Sequence, residues 1–349
     1  MSLRSSLGAW FYPPEVLLSE QFNFGHREVL VASNDFFADT LFLGSLQHGW
    51  CSPFDLRAPQ ALRNRKFTKF PMFVWSKRQE KDLVDFGFKH VIVIGSPWSH
   101  LLKACQVPFG KVNLSLAEQL SPNENNRSLL FFPRHSIPGG TANHRTDLKS
   151  LQEIAKVKSV TVCLFWLDFV NPEIRAFYSR FGCKIVCAGY RGSSGFETPW
   201  APVGGRTMYL ANILELISSH DVIATEETST AFWYSISLGK EIVVLENTEE
   251  YLWWGDGRPQ NIIVSNEKFL NSAGVVKNDL PLNRIIRPTP ALLLAAKDEL
   301  GFDYTHNIKL LDDKRYTARS NTLGLDLPIP VRDYIDYKLK QNSDCTQKL

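Results

Sequence analysis

The sequence of 349 residues lacks any apolar run of the length, about 20 residues, that a membrane-spanning helix requires. Its six cysteines (Cys51, Cys105, Cys163, Cys183, Cys187 and Cys345) include no C-x-x-C pair. The chain has no G-x-x-x-x-G-K-[ST], no G-x-S-x-G, and no G-x-G-x-x-G behind a strand. These absences exclude a helical membrane span and the usual forms of the P-loop, the nucleophile elbow and the dinucleotide fingerprint, and the cysteine spacing argues against disulfides or zinc. No D-x-D stands at a strand end and no His and Asp pair has metal-ligand spacing. A metal-dependent diphosphate site is therefore disfavoured, and no metal or other cofactor is expected. Excess charge is nearly missing too. Lys and Arg number 39 against 36 Asp and Glu, a net +3 at pH 7, so the composition does not argue for a nucleic-acid partner. The N-terminal stretch has an early arginine but no apolar run with a small-residue cleavage site, so no signal peptide is expected. With thiols in or beside apolar strands, best read as buried and reduced, this points to a cytoplasmic protein.

What is present is ample core material. Hydrophobic residues make up 44% and aromatic residues 12%, and the length suits two domains of roughly 100–200 residues each. Short apolar runs at 28–32, 71–75 and 90–95 each open onto a loop, with a helix expected at 77–86 and closed by Gly87. A second series follows, with strands at 129–132, 160–167, 184–188, 222–224 and 242–245. Helices are expected at 146–156 (capped by Thr146), 172–181, 206–219 and 231–238. A last strand is expected at 262–264 and further helices at 289–300 and 328–341. Apolar strands buried on both faces and alternating with helices imply a parallel α/β architecture. The polar stretch 121–127 is the natural linker. The expected division is an N-terminal α/β domain at 1–125, a C-terminal α/β domain at 126–315, and a helix and tail at 316–349 that packs back on the first domain. Basic residues at 63–69, with Lys77, Arg78 and Lys81, form one neighbourhood. It reads first as a solvated face; the alternative is contact with a charged glycan or with the inner face of the plasma membrane.

The segment 221–245 carries the most chemistry. A strand, an acidic and hydroxyl-rich turn, a helix stopped by Gly239 and a second strand make a βαβ unit. Thr228, Ser229 and Thr230 fall at the start of the helix, where unpaired N–H groups and the helix dipole favour an anion. The alternative is that these hydroxyls only cap the helix. In an open parallel sheet the ligand lies beyond the carboxyl ends of the strands. That rule selects Asn34, Asp35 and 47–50 in the first half, and Arg134, His135, Ser136, Asp168, Tyr190, Glu226, Glu227 and 228–230 in the second. His135 can donate to a phosphate, and Arg134 can share that task or pair with a structural carboxylate. His48, ahead of Gly49, suits a general base or a structural hydrogen bond. Glu226 and Glu227 would repel a phosphate, so at least one is expected to point elsewhere.

Three groups of residues resemble glycosyltransferases of the two-domain B type, and among them those that make bacterial capsule, O-antigen and teichoic-acid polymers. The first is Gln47-His48-Gly49 with Phe73-Val74-Trp75-Ser76 and 91–97. The second is Phe131-Phe132-Pro133-Arg134-His135. The third is 219–230 with Ser237-Leu238-Gly239-Lys240. Ser136 and Glu241 stand where those families carry proline, and Glu226-Glu227 replaces an acidic-aromatic pair. The resemblance implies two Rossmann-like domains facing across a cleft. It implies a nucleotide-sugar donor, with CMP or CDP favoured, and a glycan or lipid-linked glycan acceptor. Arg134, His135, Ser136 and the 228–230 turn would hold the donor phosphate, and Asp168, Tyr190, Glu226 and Glu227 the nucleotide or sugar. His48, or an acid such as Asp35, would deprotonate the acceptor in a metal-independent inverting transfer. Two alternatives stand beside it: an isomerase like the nucleotide-sugar 2-epimerases, and a non-catalytic nucleotide-sugar or glycan-binding subunit.

Overall fold

A computed structural model describes residues 21, 23–37, 39–47, 49–50, 70–110, 127–136, 140–189, 208–226, 228–245, 250–253, 260–263, 282–312, 317–319 and 330–346. The basic stretch 63–69, the 189–205 loop beyond Gly189 and the linker before Arg127 lie outside these residues, as do His48, Tyr190 and Glu227.

The smaller of two parallel sheets is built from β2 (Ser45–Leu46), β3 (Met72–Val74) and β4 (Val91–Val93), in that order. Ahead of it in the chain, β1 (Thr40–Phe42) pairs antiparallel with the distant strand Thr317–Arg319. The helix Lys77–Phe86 forms as its sequence directs. Ser76 accepts from the Gln79 backbone N–H while Gln79 reaches back to the Ser76 N–H, a complete capping box, and Gly87 ends the helix at φ 110°.

The larger sheet contains β5 (Ser128–Phe132), β7 (Ser159–Cys163), β8 (Lys184–Val186), β9 (Val222–Thr225), β10 (Glu241–Val244) and β13 (Ile285–Ile286). Its order is β13-β10-β9-β5-β7-β8, parallel throughout except for the antiparallel edge strand β13. Leu129, Leu130, Phe131, Val222, Ile223 and Ala224 are fully buried, as central strands covered by helices on both faces require. The chain is therefore α/β with parallel sheets, as the sequence predicts. A third, antiparallel sheet joins β6 (Gly140–Thr141), β11 (Glu250–Trp253) and β12 (Gln260–Ile263).

Several local expectations are corrected. Residues 28–32 are not a strand but the centre of a helix, His26–Ser33. Every residue from His26 to Ala32 is buried, so the apolar run has no solvent face whose period would betray a helix. Gly25, at φ 69°, turns the chain into it. The run at 160–167 leaves the sheet after Cys163, and its last two residues open a short helix, Trp166–Val170. Asp147 rather than Thr146 caps the helix Leu148–Ala155, accepting from Lys149 N at 3.0 Å. The segment near 262 pairs antiparallel with β11 in the third sheet and does not extend the parallel one.

A single aromatic core joins the two parallel-sheet units. Trp50, Trp75 and Trp98 from the first pack with Phe232, Trp233 and Tyr234 of the helix Thr230–Ser237. Polar contacts cross the same boundary. Trp98 Nε1 donates to Ser237 Oγ at 2.9 Å, and Arg78 makes two bonds to Glu299, at 2.7 and 2.8 Å. The backbones approach closely at Gly301, whose φ is 61°; a Cβ there would lie 1.7 Å from the Trp75 carbonyl oxygen. The helix Pro330–Thr346 lies against His26–Ser33, and its Tyr334 and Lys338 reach Glu215.

Candidate functional site

Numbered along the chain, the parallel strands β8-β7-β5-β9-β10 have the order 3-2-1-4-5 of a Rossmann-like sheet, which reverses between β5 and β9. Connections leave these two strands toward opposite sides, opening a crevice at their carboxyl ends. A cavity of about 360 Å³ lies there. It is lined by 132–135 at the end of β5, by 163–165 at the end of β7, by Ala188 beyond β8, and by Glu226 beyond β9. Ser229, Thr230, Ala231 and Tyr234 of the following helix close one side, and Phe24, His26, Gly49 and Trp50 close it from the first unit.

Glu226 is 2% exposed and spans the reversal point. One carboxylate oxygen accepts from the backbone N–H of Arg134 at 2.6 Å and the other from the Thr146 hydroxyl. The acid thus points into a protein hydrogen-bond network, which resolves the repulsion that an acidic pair beside a phosphate would create. Arg134 is buried beside it and lines the cavity. His135 is exposed; its Nδ1 donates to the Ser136 carbonyl at 2.9 Å, and its ring lies 4.4 Å from that of Phe165. Holding Nδ1 fixes the ring and leaves Nε2 as the nitrogen that can meet a ligand.

The helix Thr230–Ser237 begins at Ser229, whose side chain makes no capping bond, which leaves its first N–H groups without an N-cap among the described residues. Thr230 Oγ1 accepts from Trp50 N at 2.9 Å, which fixes the first unit's loop against the helix start. The Thr228 hydroxyl is buried without a partner among the described residues. The predicted hydroxyl turn, Arg134 and His135 therefore come together at one mouth.

Other predicted residues lie elsewhere. Ser136 and Asp168 face each other rather than the cavity: Ser136 N donates to Asp168 Oδ2 at 2.9 Å, and His144 Nε2 stands 3.5 Å from Oδ1. Burial alone would raise the Asp168 pKa, but the bonds from His144 and Ser136 outweigh it and hold the carboxyl below its usual value. Asp35 is 93% exposed, pairs with Arg332 at 3.3 Å and is not among the cavity residues. Its neighbour Asn34 instead donates to His100 Nδ1 at 3.0 Å, while His100 Nε2 donates to the Ile94 carbonyl at 2.8 Å. Gln47 is a brace: its side-chain oxygen accepts from Trp75 N at 3.0 Å and its amide donates to the Gly49 carbonyl at 2.8 Å.

Sequence reasoning missed Phe24, His26 and Tyr234 as cavity residues, whereas Trp50 lies in the predicted loop 47–50. The first two sit in or beside a helix read as a strand, and Tyr234 reads simply as core. The signal for Tyr234 was its place four residues beyond Thr230, which puts both on one helix face.

No family model matches the sequence, and no curated protein does. Among solved structures the chain is similar to UDP-GlcNAc 2-epimerase from Neisseria meningitidis bound to UDP-GlcNAc, at 15% identity and TM-score 0.34, with 75% of this chain and 66% of that one covered. It is similar also to the wall teichoic acid polymerase TagF, at 12% identity and TM-score 0.29, covering 78% and 59%. A third is HepE from Anabaena in complex with UDP, at 13% identity and TM-score 0.30, covering 86% and 71%. The chain spans less than two thirds of the first two. A likeness at this level says nothing of individual residues.

Proposed function

We propose that the chain binds a nucleotide-activated sugar in the 360 Å³ cavity and transfers the sugar to a glycan or lipid-linked glycan acceptor, in the synthesis of a bacterial surface polysaccharide. One observation carries this reading. The uncapped start of the helix Thr230–Ser237, with Arg134 and His135, stands at the strand-order reversal of a Rossmann-like sheet. That combination suits a nucleoside phosphate.

In this reading the acceptor oxygen forms a bond to the anomeric carbon as the bond from that carbon to the nucleotide phosphate breaks, inverting the centre. His48 takes the acceptor proton. Helix N–H groups and His135 offset the charge on the departing phosphate. Asp35, exposed and paired with Arg332, has no part in it. The sequence's lack of a D-x-D favours a transfer that needs no metal, and the family resemblance favours a CMP- or CDP-linked donor.

Transfer is preferred to epimerisation for a specific reason. Glu226 is the sole carboxylate among the described cavity residues, and both of its oxygens are engaged. Thermal shifts and calorimetry with CMP, CDP, UDP and GDP test the reading. A ligand at a hundred times its Kd adds about 2.7 kcal/mol of stability. Binding of none of the four sinks the proposal. Binding with an epimerised donor recovered intact identifies an isomerase, and binding without turnover on any acceptor identifies a binding subunit.

A further inference from the structure

The Tyr234 side chain is 2% exposed and lines the cavity, yet its hydroxyl has no hydrogen-bond partner among the described residues. A buried hydroxyl left unpaired carries a desolvation cost that natural folds rarely accept without a use for the group. The ring is not loosely placed. It stacks on Trp98 at 4.2 Å and 8° between planes, with Trp75 at 6.5 Å and 26°. Helical side chains lean toward the N-terminus, so Tyr234 leans back toward Thr230 and the uncapped first turn. Burial raises the phenol pKa well above its usual value, which keeps the group a neutral donor.

We infer that the Tyr234 hydroxyl is a ligand-binding group. It donates a hydrogen bond to a phosphoryl oxygen of the bound nucleotide, beside the N–H groups that open the helix Thr230–Ser237. This rests on the nucleotide-sugar reading of the cavity and adds to it a lining residue from the helix Thr230–Ser237. The aromatic stack lends the bond a water-poor setting, where a donor to an anion is strongest. It also sets the hydroxyl's position from the first unit, through Trp98.

The test is Tyr234→Phe, which keeps the ring and removes one oxygen. Calorimetry with whichever of CDP, UDP and GDP binds tightest should show affinity reduced about 10-fold or more, the usual loss for a hydrogen bond to a charged group. Affinity for the parent nucleoside, measured by competition, should be unchanged. The ligand-free melting temperature should hold or rise, because an unsatisfied buried polar atom has been removed. Unchanged diphosphate affinity in the variant, with the wild type binding normally, overturns the assignment alone. An equal loss for the nucleoside overturns the phosphoryl contact, and a fall in the ligand-free melting temperature shows that the hydroxyl serves the fold instead. A wild type that binds no nucleotide overturns both this inference and the reading it rests on.

Discussion

Trp98 and Tyr234 lie face to face, ring centroids 4.2 Å apart and planes inclined by 8°. One comes from the helix Pro97–Ala104 of the first unit and the other from the helix Thr230–Ser237 of the second. The Trp98 indole N–H also bonds Ser237 Oγ, so the pair is fixed in angle as well as in distance. Trp98→Ala should lower stability by about 3–5 kcal/mol, the range for removing a fully buried large aromatic side chain. Urea unfolding measures it, and a loss under about 1 kcal/mol would mean that the units do not depend on this contact.

Gly301→Ala should be among the most damaging small substitutions. The added Cβ would meet the Trp75 carbonyl oxygen, a backbone atom that cannot step aside, and the residue already sits at φ 61°. A loss of about 3 kcal/mol or more is expected from clash and left-handed strain together. Gly87→Ala is the control. It shares a positive φ of 110° but meets nothing within 4 Å, so it should cost markedly less.

His100 links stability to acid. Burial pushes its pKa from 6.5 down to about 4, against the raising effect of its bond to the Ile94 carbonyl, and Lys103 lowers it further. Asn34 donates to its other nitrogen, a bond that the neutral ring accepts. The sign follows from proton uptake. Below pH 6.5 the unfolded chain binds a proton that the folded chain refuses, so the contribution is whole above pH 6.5 and drains away as pH falls toward 4. The loss between pH 7 and pH 5 should be about 2 kcal/mol. Urea midpoints at both pH values should diverge more in the wild type than in His100→Gln; parallel behaviour would show that His100 is not the group responsible.

His135→Ala should weaken nucleotide binding far more than folding. The side chain is exposed, so its removal leaves no cavity, whereas a lost charge-assisted bond to phosphate costs roughly 1.5–3 kcal/mol. Calorimetry gives the first quantity and melting temperature the second. Unchanged affinity would move the phosphate away from the end of β5.

His48→Asn should cut kcat by about 100-fold or more and leave donor affinity close to that of the wild type. Normal turnover in this variant would remove His48 as the base.

The parallel strands and the helix Lys77–Phe86 were legible because their signals are local: apolar runs bounded by turns, and a Ser76 to Gln79 capping box. The hydroxyl turn with Arg134 and His135 was legible from a topological rule that needs only strand ends. His26–Ser33 was hidden because burial on every side erases the contrast that periodicity reads. The role of Glu226 was hidden because its partners, Arg134 N and Thr146, are remote in sequence and no local pattern announces them. Tyr234 was hidden for a related reason. An aromatic residue inside a buried helix looks the same whether or not its hydroxyl has a partner.

The pairing of Thr40–Phe42 with Thr317–Arg319 sets a schedule for the ribosome. At about 5–20 residues per second, tens of seconds separate the emergence of the two strands. The cover over Trp75 and Trp98 from 230–300 is late as well. During that interval the nascent first unit holds an unpaired strand and open tryptophan faces, the features that recruit chaperones or drive aggregation. Slow synthesis through 110–220 would lengthen the exposure, so yield in a foreign host should respond to holdase supply more than to the stability of the finished protein.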